Sequence, residues 1–149
     1  MSVRLLLVDE NDDFLDGLMA WLEDCPSVSV AGVAHSAREA IDRIGKLSPD
    51  IVLMNMTLPD MSALGATRLI KARPAAPLVI VTTFHDSSAI RAEAEAAGAD
   101  GVLAMPEITS ELFLVVDALL SARAARPDNA CIVAVPPAVR PVRPREVKE

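Results

Sequence analysis

Most of the longer apolar runs of this chain end in residues that could hydrogen-bond a ligand. Asp9 and Glu10 follow the first run, Asn55 ends the third, and Thr82 ends the fourth. The fifth run ends instead in Met105, a thioether without charge. An amide is neither a nucleophile, nor an acid, nor a base. Asn55 is therefore not expected to catalyse a reaction, although it stands where parallel sheets often place their chemistry.

The elements that must position these residues follow from the alternation of apolar runs and amphipathic stretches. The runs are rich in Val, Ile and Leu, and the stretches between them have helical spacing. Predicted strands are 3–8, 28–33, 50–55, 77–82 and 100–105, and predicted helices are 12–24, 36–47, 62–72, 86–97 and 108–124. Five βα units predict an α/β fold with a (βα)5 doubly wound parallel sheet. Ligands of such sheets bind beyond the carboxyl ends of the strands.

Composition limits the classes of function. The 149 residues are enough for one domain, 52% of them are apolar, and the net charge of −7 argues against a nucleic-acid-binding surface. No apolar run approaches the ~18 residues of a membrane span. The two cysteines lack metal-ligand spacing, which favours a reduced, cytoplasmic chain. GxGxxG and P-loop motifs are absent from the sequence, which disfavours nucleotide binding by those routes.

The chain changes character near its end. We predict a domain over 1–123 and a Pro-rich linker or tail over 124–149, which holds five of the eleven prolines. One short run in it, Cys131 to Val135, has strand propensity and is more apolar than a free linker requires. We therefore expect this run to be ordered, on its own domain or on a second copy.

Four motifs in order resemble the response-regulator receiver domain, the CheY-like phosphoacceptor module. They are LLLVDEND, SPDIVLMNMTLPDMSALGATRLIKA, PLVIVTTFHD and EAAGADGVLAMPE, and the resemblance covers about residues 2–122. Its details look closest to receivers of helix-turn-helix transcription regulators. The resemblance implies an acidic pair that holds Mg²⁺, an aspartate that takes a phosphoryl group, and a hydroxyl and a lysine that bind the phosphoryl oxygens.

This sequence departs from that pattern at two positions. Asp9 and Glu10 match the metal pair and Thr82 matches the hydroxyl, but Asn55 falls on the acceptor position and Met105 on the lysine position. An amide offers no anionic oxygen to attack phosphorus, so phosphorylation at Asn55 is predicted to be lost. No catalytic residue is predicted, and no cofactor apart from weak Mg²⁺ binding at Asp9, Glu10 and Asn55.

The chain therefore resembles a pseudo-receiver: a non-enzymatic signalling module of a two-component phosphorelay that acts through protein contact. The expected partner is a sensor kinase or an output protein. Alternatives are a receiver gated by metal or by another modification, and a working receiver of a transcription regulator whose acceptor has been blocked. Met105 argues against the last of these, since a single designed substitution would have left the lysine in place.

A surplus of apolar residues in the first and last helices predicts either a protein interface, with a homodimer expected, or cover by the tail. In the first helix, Phe14, Leu18 and Leu22 form the expected core face. The residues expected to form the interface are Leu15, Met19, Phe113 and Leu114.

Overall fold

The structure is a computed structural model that describes residues 3–85 and 87–125. Within them, strands and helices alternate as the sequence predicts. In chain order they are β1 Val3–Val8, α1 Asp12–Leu22, β2 Val28–Ala34, α2 Ala37–Leu47, β3 Ile51–Asn55, α3 Ala63–Lys71, β4 Leu78–Thr83, α4 Ser88–Ala97, β5 Gly101–Ala104 and α5 Ile108–Ala125. A short 3₁₀ turn, Met105–Glu107, joins β5 to α5.

The five strands form one parallel sheet in the order β2-β1-β3-β4-β5. This confirms the predicted α/β fold. Because all strands run the same way, their carboxyl ends share one edge of the sheet. The register sets Val8 beside Met54 and Asn55 beside Thr82. The residues that follow β1, β3 and β4 are thereby brought to neighbouring positions.

Side chains alternate between the two faces of the sheet and fill two cores. On one face Leu5 and Leu7 pack with residues of α1 and α5. On the other face Leu6 and Val8 pack with residues of α2 and α3, and α4 packs beside α3. The central strands read as continuous apolar runs because both of their faces are covered.

Four helices begin at a side chain that caps the first turn. In each case the side-chain oxygen accepts a hydrogen bond from the backbone N–H three residues later, which satisfies a donor that the helix itself leaves free. The capping residues are Asn11, Ser36, Ser62 and Ser87. Helix α4 ends at Gly98, whose φ of 104° is left-handed and favours a residue without a Cβ.

The face that α1 turns to the sheet differs from the predicted one. Leu15, Leu18 and Leu22 are buried in the core, so the prediction that Leu15 belongs to an exposed interface is wrong. Phe14 is only partly buried. Several neighbouring positions of α1 are apolar, so spacing alone permits either face, and packing against the sheet selects the one that contains Leu15.

Helix α5 extends to Ala125, two residues beyond the predicted domain boundary. The run from Cys131 to Val135 lies outside the described residues. None of the helices in the described part of the chain is both long enough and apolar enough to cross a membrane.

Candidate functional site

The carboxyl edge of the sheet brings the predicted site residues together. Asp9 follows β1, Asn55 ends β3, Thr82 lies next to it in β4, and Met105 follows β5. Side-chain contacts join three of them. The Asn55 Nδ2 atom lies 2.8 Å from Asp9 Oδ2 and 3.8 Å from Met105 Sδ. These three residues lie at or just after the ends of three strands and are far apart in sequence, so the sheet order creates the cluster.

The Asn55 amide bridges two loops. Its Nδ2 donates to Asp9 Oδ2, and its Oδ1 accepts from the backbone N–H of Thr57 at 2.8 Å. Both partners have a fixed role, since a carboxylate can only accept and a backbone N–H can only donate. The orientation of the amide is therefore determined by its neighbours. The bridge ties the end of β1 to the β3–α3 loop.

Asp9 is a buried carboxylate that is held by hydrogen bonds. The residue is only 2% exposed, and its other carboxylate oxygen, Oδ1, accepts a hydrogen bond from the backbone N–H of Asn11 at 2.8 Å. Among the described residues, no basic side chain forms an ion pair with Asp9. Asn55 and Asn11 therefore supply the hydrogen-bond donors that a buried carboxylate requires.

The predicted metal ligands do not fit a Mg²⁺ site in this arrangement. Mg²⁺ requires oxygen ligands in near-octahedral geometry. Asn55 instead turns its NH₂ group to Asp9, and its oxygen is bonded to Thr57. Glu10 is exposed and adjoins the cluster from outside. Within the described ranges no group of three or more His, Cys, Asp or Glu residues could hold a metal ion.

Met105 in the cluster and Thr82 beside Asn55 in the sheet are both buried. Met105 is 7% exposed and Thr82 is 2% exposed. The Thr82 carbonyl accepts from the backbone N–H of Met56 at 2.8 Å, which extends the pairing of β3 with β4. For the Thr82 hydroxyl, the described residues provide no hydrogen bond, whereas the neighbouring Thr83 hydroxyl bonds the backbone of His85.

A cleft of about 310 Å³ opens above the cluster. Its floor is formed by Asp9, Asn55 and Met105. Phe14 and Phe84 contribute aromatic surface to its lining, and Phe84 is 68% exposed. The other lining residues are Glu10, Asn11 and Thr57.

Sequence reasoning missed both aromatic residues of the cleft. The spacing of apolar residues in α1 predicts that Phe14 belongs to the core. The available signal for Phe84 was its position directly after the strand-end threonines, in a loop that a parallel sheet turns toward its ligand edge.

The loop after Asn55 is anchored to a second helix. Asp60 Oδ1 accepts from the backbone N–H of Ala37 at 2.9 Å, and Oδ2 accepts from that of Arg38 at 2.9 Å. These bonds, first that from Ala37 and then that from Arg38, hold the pKa of Asp60 below its usual value. A carboxylate at a helix N-terminus is also favoured by the helix dipole. Asp60 therefore fixes the β3–α3 loop against α2.

Of the residues predicted for an interface, three lie at the surface of α1 and α5. Leu114 is 66% exposed, as expected, and Met19 and Phe113 are partly buried. The Phe113 ring lies with its centroid 5.2 Å from that of Trp21, so the two helices are in aromatic contact. We call Met19, Trp21, Phe113 and Leu114 the α1–α5 patch.

Comparison with known proteins finds one matching family over most of the chain. The family model of the response regulator receiver domain matches residues 5–117. A solved structure of a two-component response regulator of the LuxR family from Aurantimonas superposes with a TM-score of 0.77 at 32% identity, covering 83% of this chain and 88% of that one.

Curated relatives are longer than this chain. A protein-glutamate methylesterase/protein-glutamine glutaminase of Methanospirillum hungatei is 38% identical over 106 residues, which are 70% of this chain and 30% of that protein. The transcriptional regulatory protein YdfI of Bacillus subtilis is 30% identical over 117 residues, 78% of this chain and 54% of that protein. The chain thus spans about a third to a half of the length of these relatives.

Proposed function

Because the chain belongs to the response regulator receiver domain family, we propose that it is a receiver that signals by protein contact and takes no phosphoryl group at Asn55. The observation that carries the proposal is the hydrogen bond of 2.8 Å from the Asn55 amide to Asp9. In an ordinary receiver this position would hold the carboxylate that attacks phosphorus. Here it holds a donor that already occupies the neighbouring carboxylate.

Two chemical arguments support the loss of phosphorylation. An amide has no anionic oxygen, so Asn55 cannot form an acyl phosphate in the way an aspartate does. A phosphoryl group would also bring negative charge close to Asp9, and the residue in the lysine position, Met105, supplies no cation to balance it. The replacements at both positions, Asn55 and Met105, therefore disfavour phosphorylation.

The bridge made by Asn55 also offers a way to stabilise the site that does not depend on a metal. Two carboxylates at this distance would repel each other unless a cation or a proton lay between them. The neutral amide replaces that repulsion with a hydrogen bond to a charged group, which stabilises by about 1.5–3 kcal/mol. The loop can then hold one conformation independent of phosphodonor and Mg²⁺, which suits a module that is always ready to bind its partner.

Acetyl phosphate with Mg²⁺, followed by intact mass measurement, tests the proposal. We expect no phosphoryl adduct on the native chain and a low yield on Asn55→Asp. Asn55→Asp combined with Met105→Lys should give a higher yield, because both the acceptor and its cation are restored. A labile adduct on the native chain that disappears in Asn55→Ala would overturn the proposal.

The partner surface we propose is the α1–α5 patch. The patch includes Leu114, which is 66% exposed, and exposed apolar patches commonly mark protein contacts. A second copy of the chain would cover the patch symmetrically in a homodimer. A sensor kinase or an output protein that uses the same helices would compete with that dimer.

A further inference from the structure

The cleft above Asn55 combines negative charge with apolar walls. Asp9 forms part of its floor and Glu10 part of its rim, and none of the described residues that line it is a lysine, arginine or histidine. Met105 offers a thioether in place of a charge. A cavity lined by charge of one sign attracts ligands of the opposite sign. Cations are therefore favoured here over the phosphoryl group that ordinary receivers take.

The walls decide which kind of cation fits. Phe14 and Phe84 bring aromatic surface to the cleft, and Phe84 is 68% exposed although it is a large apolar side chain. A hydrated Mg²⁺ ion gains little from aromatic walls, and Asn55 turns its NH₂ group rather than its oxygen to Asp9. An organic cation gains from direct contact with the exposed Glu10 carboxylate, from the nearby negative charge of the buried Asp9, and from the aromatic side chains.

We propose that this cleft binds the guanidinium group of an arginine side chain. Guanidinium is planar, stacks on aromatic rings and forms paired hydrogen bonds with carboxylates, which an ammonium group does less well. A volume of about 310 Å³ is at the lower end for ligand sites, so it suits one side chain better than a large cofactor. The inference rests on the proposed function and names its chemistry: the partner inserts an arginine where a phosphoryl group would have been.

The probe is N-acetyl-arginine amide, with N-acetyl-citrulline amide as a neutral compound of the same shape. Titration into the full chain should shift the Asn55 side-chain amide and the Glu10 and Phe84 backbone signals in NMR spectra, and the shifts should saturate in the millimolar range. The citrulline compound should cause no saturating shift. Equal shifts from both compounds would show that charge is not recognised and would overturn the inference.

Variants separate the contribution of the carboxylate charge to arginine binding from that of the aromatic side chain. Glu10→Gln and Phe84→Leu should each weaken binding about two- to fivefold, since each removes one exposed interaction with the cation. Asp13→Asn is the matched control: it removes one exposed charge of α1 that does not line the cleft, and binding should be unchanged. If Asp13→Asn weakens binding as much as Glu10→Gln, only the general charge of the protein matters and no site exists.

Met105→Lys provides a further check, because it places the protein's own cation at the floor of the cleft. We expect it to abolish binding of the arginine compound while the thermal melt shows a folded protein. A short peptide with one central arginine tests whether the cation belongs to a protein partner or to a free small molecule. Tighter binding than the single-residue compound supports a protein partner, and weaker binding contradicts it. The acetyl phosphate experiment has an independent readout, so a failure of the arginine proposal can be distinguished from a failure of the proposed function on which it rests.

Discussion

Replacing Asn55 by aspartate should destabilise the native chain, because it turns a hydrogen bond into a contact between like charges. The amide now donates to Asp9 at 2.8 Å. Loss of a hydrogen bond to a charged group costs about 1.5–3 kcal/mol. Two unit charges about 4 Å apart add up to about 4 kcal/mol of repulsion at an effective dielectric constant of about 20. Rotation of the new side chain and partial protonation relieve much of that repulsion.

We therefore expect Asn55→Asp to lower the free energy of unfolding by about 3 kcal/mol at pH 7 in metal-free buffer. For a chain of this size that corresponds to about 6–12 °C in melting temperature. In this variant, repulsion between the two carboxylates raises the pKa of the pair in the folded state. The loss of stability should therefore be full at neutral pH and should shrink as the pH falls toward the unfolded-state pKa of about 3.9. Added Mg²⁺ should restore part of the stability, since it binds between the two carboxylates.

Urea unfolding followed by circular dichroism measures the effect, and Asn11→Asp is the matched control. That control makes the same amide-to-carboxylate change at a residue that caps α1, where Asn and Asp are equally good caps. It should change stability by less than about 0.5 kcal/mol. If Asn55→Asp is as stable as the native chain in EDTA at pH 7, the amide bridge is not what holds this site and the reasoning fails.

Four further outcomes are expected. Mg²⁺ titration followed by NMR should show no saturation below millimolar metal, and tight binding at the cluster would restore metal gating. Asp60→Asn should reduce stability more at pH 6 than at pH 3. Because the pKa of Asp60 is lowered in the folded state, its carboxylate stabilises the fold above the unfolded pKa, and this stabilisation is lost as the pH falls. An equal loss of stability at both pH values would contradict this. Leu114→Glu should reduce the dimer fraction in light scattering, whereas Leu69→Glu, at another exposed leucine, should not; equal effects would mean that the α1–α5 patch is not the interface. Truncation after Ala125 should lower the melting temperature or change the assembly mass, and a chain that keeps both would show that the tail is only a linker.

Local pattern was enough to predict the fold. The central strands β1, β3 and β4 are short runs rich in Val, Ile and Leu that are buried on both faces, and such runs can be recognised without knowledge of the partner strands. The strict alternation with helices then leaves a parallel sheet as the solution, with strand-end residues such as Asp9 and Asn55 at one edge. The sequence also showed directly that the acceptor carboxylate and the lysine are missing, because residue types alone reveal Asn55 and Met105 at those positions.

Only the tertiary structure decided how these residues meet. The spacing of α1 allowed either Phe14 or Leu15 to face the sheet, and packing chose Leu15. The bonds from Asn55 to Asp9, and from the start of α2 to Asp60, join residues 46 and 23 positions apart. Such contacts leave no periodic trace in the chain, because hydrogen-bond partners across a sheet are set by strand order and register, whereas periodicity reports only which side of an element is buried.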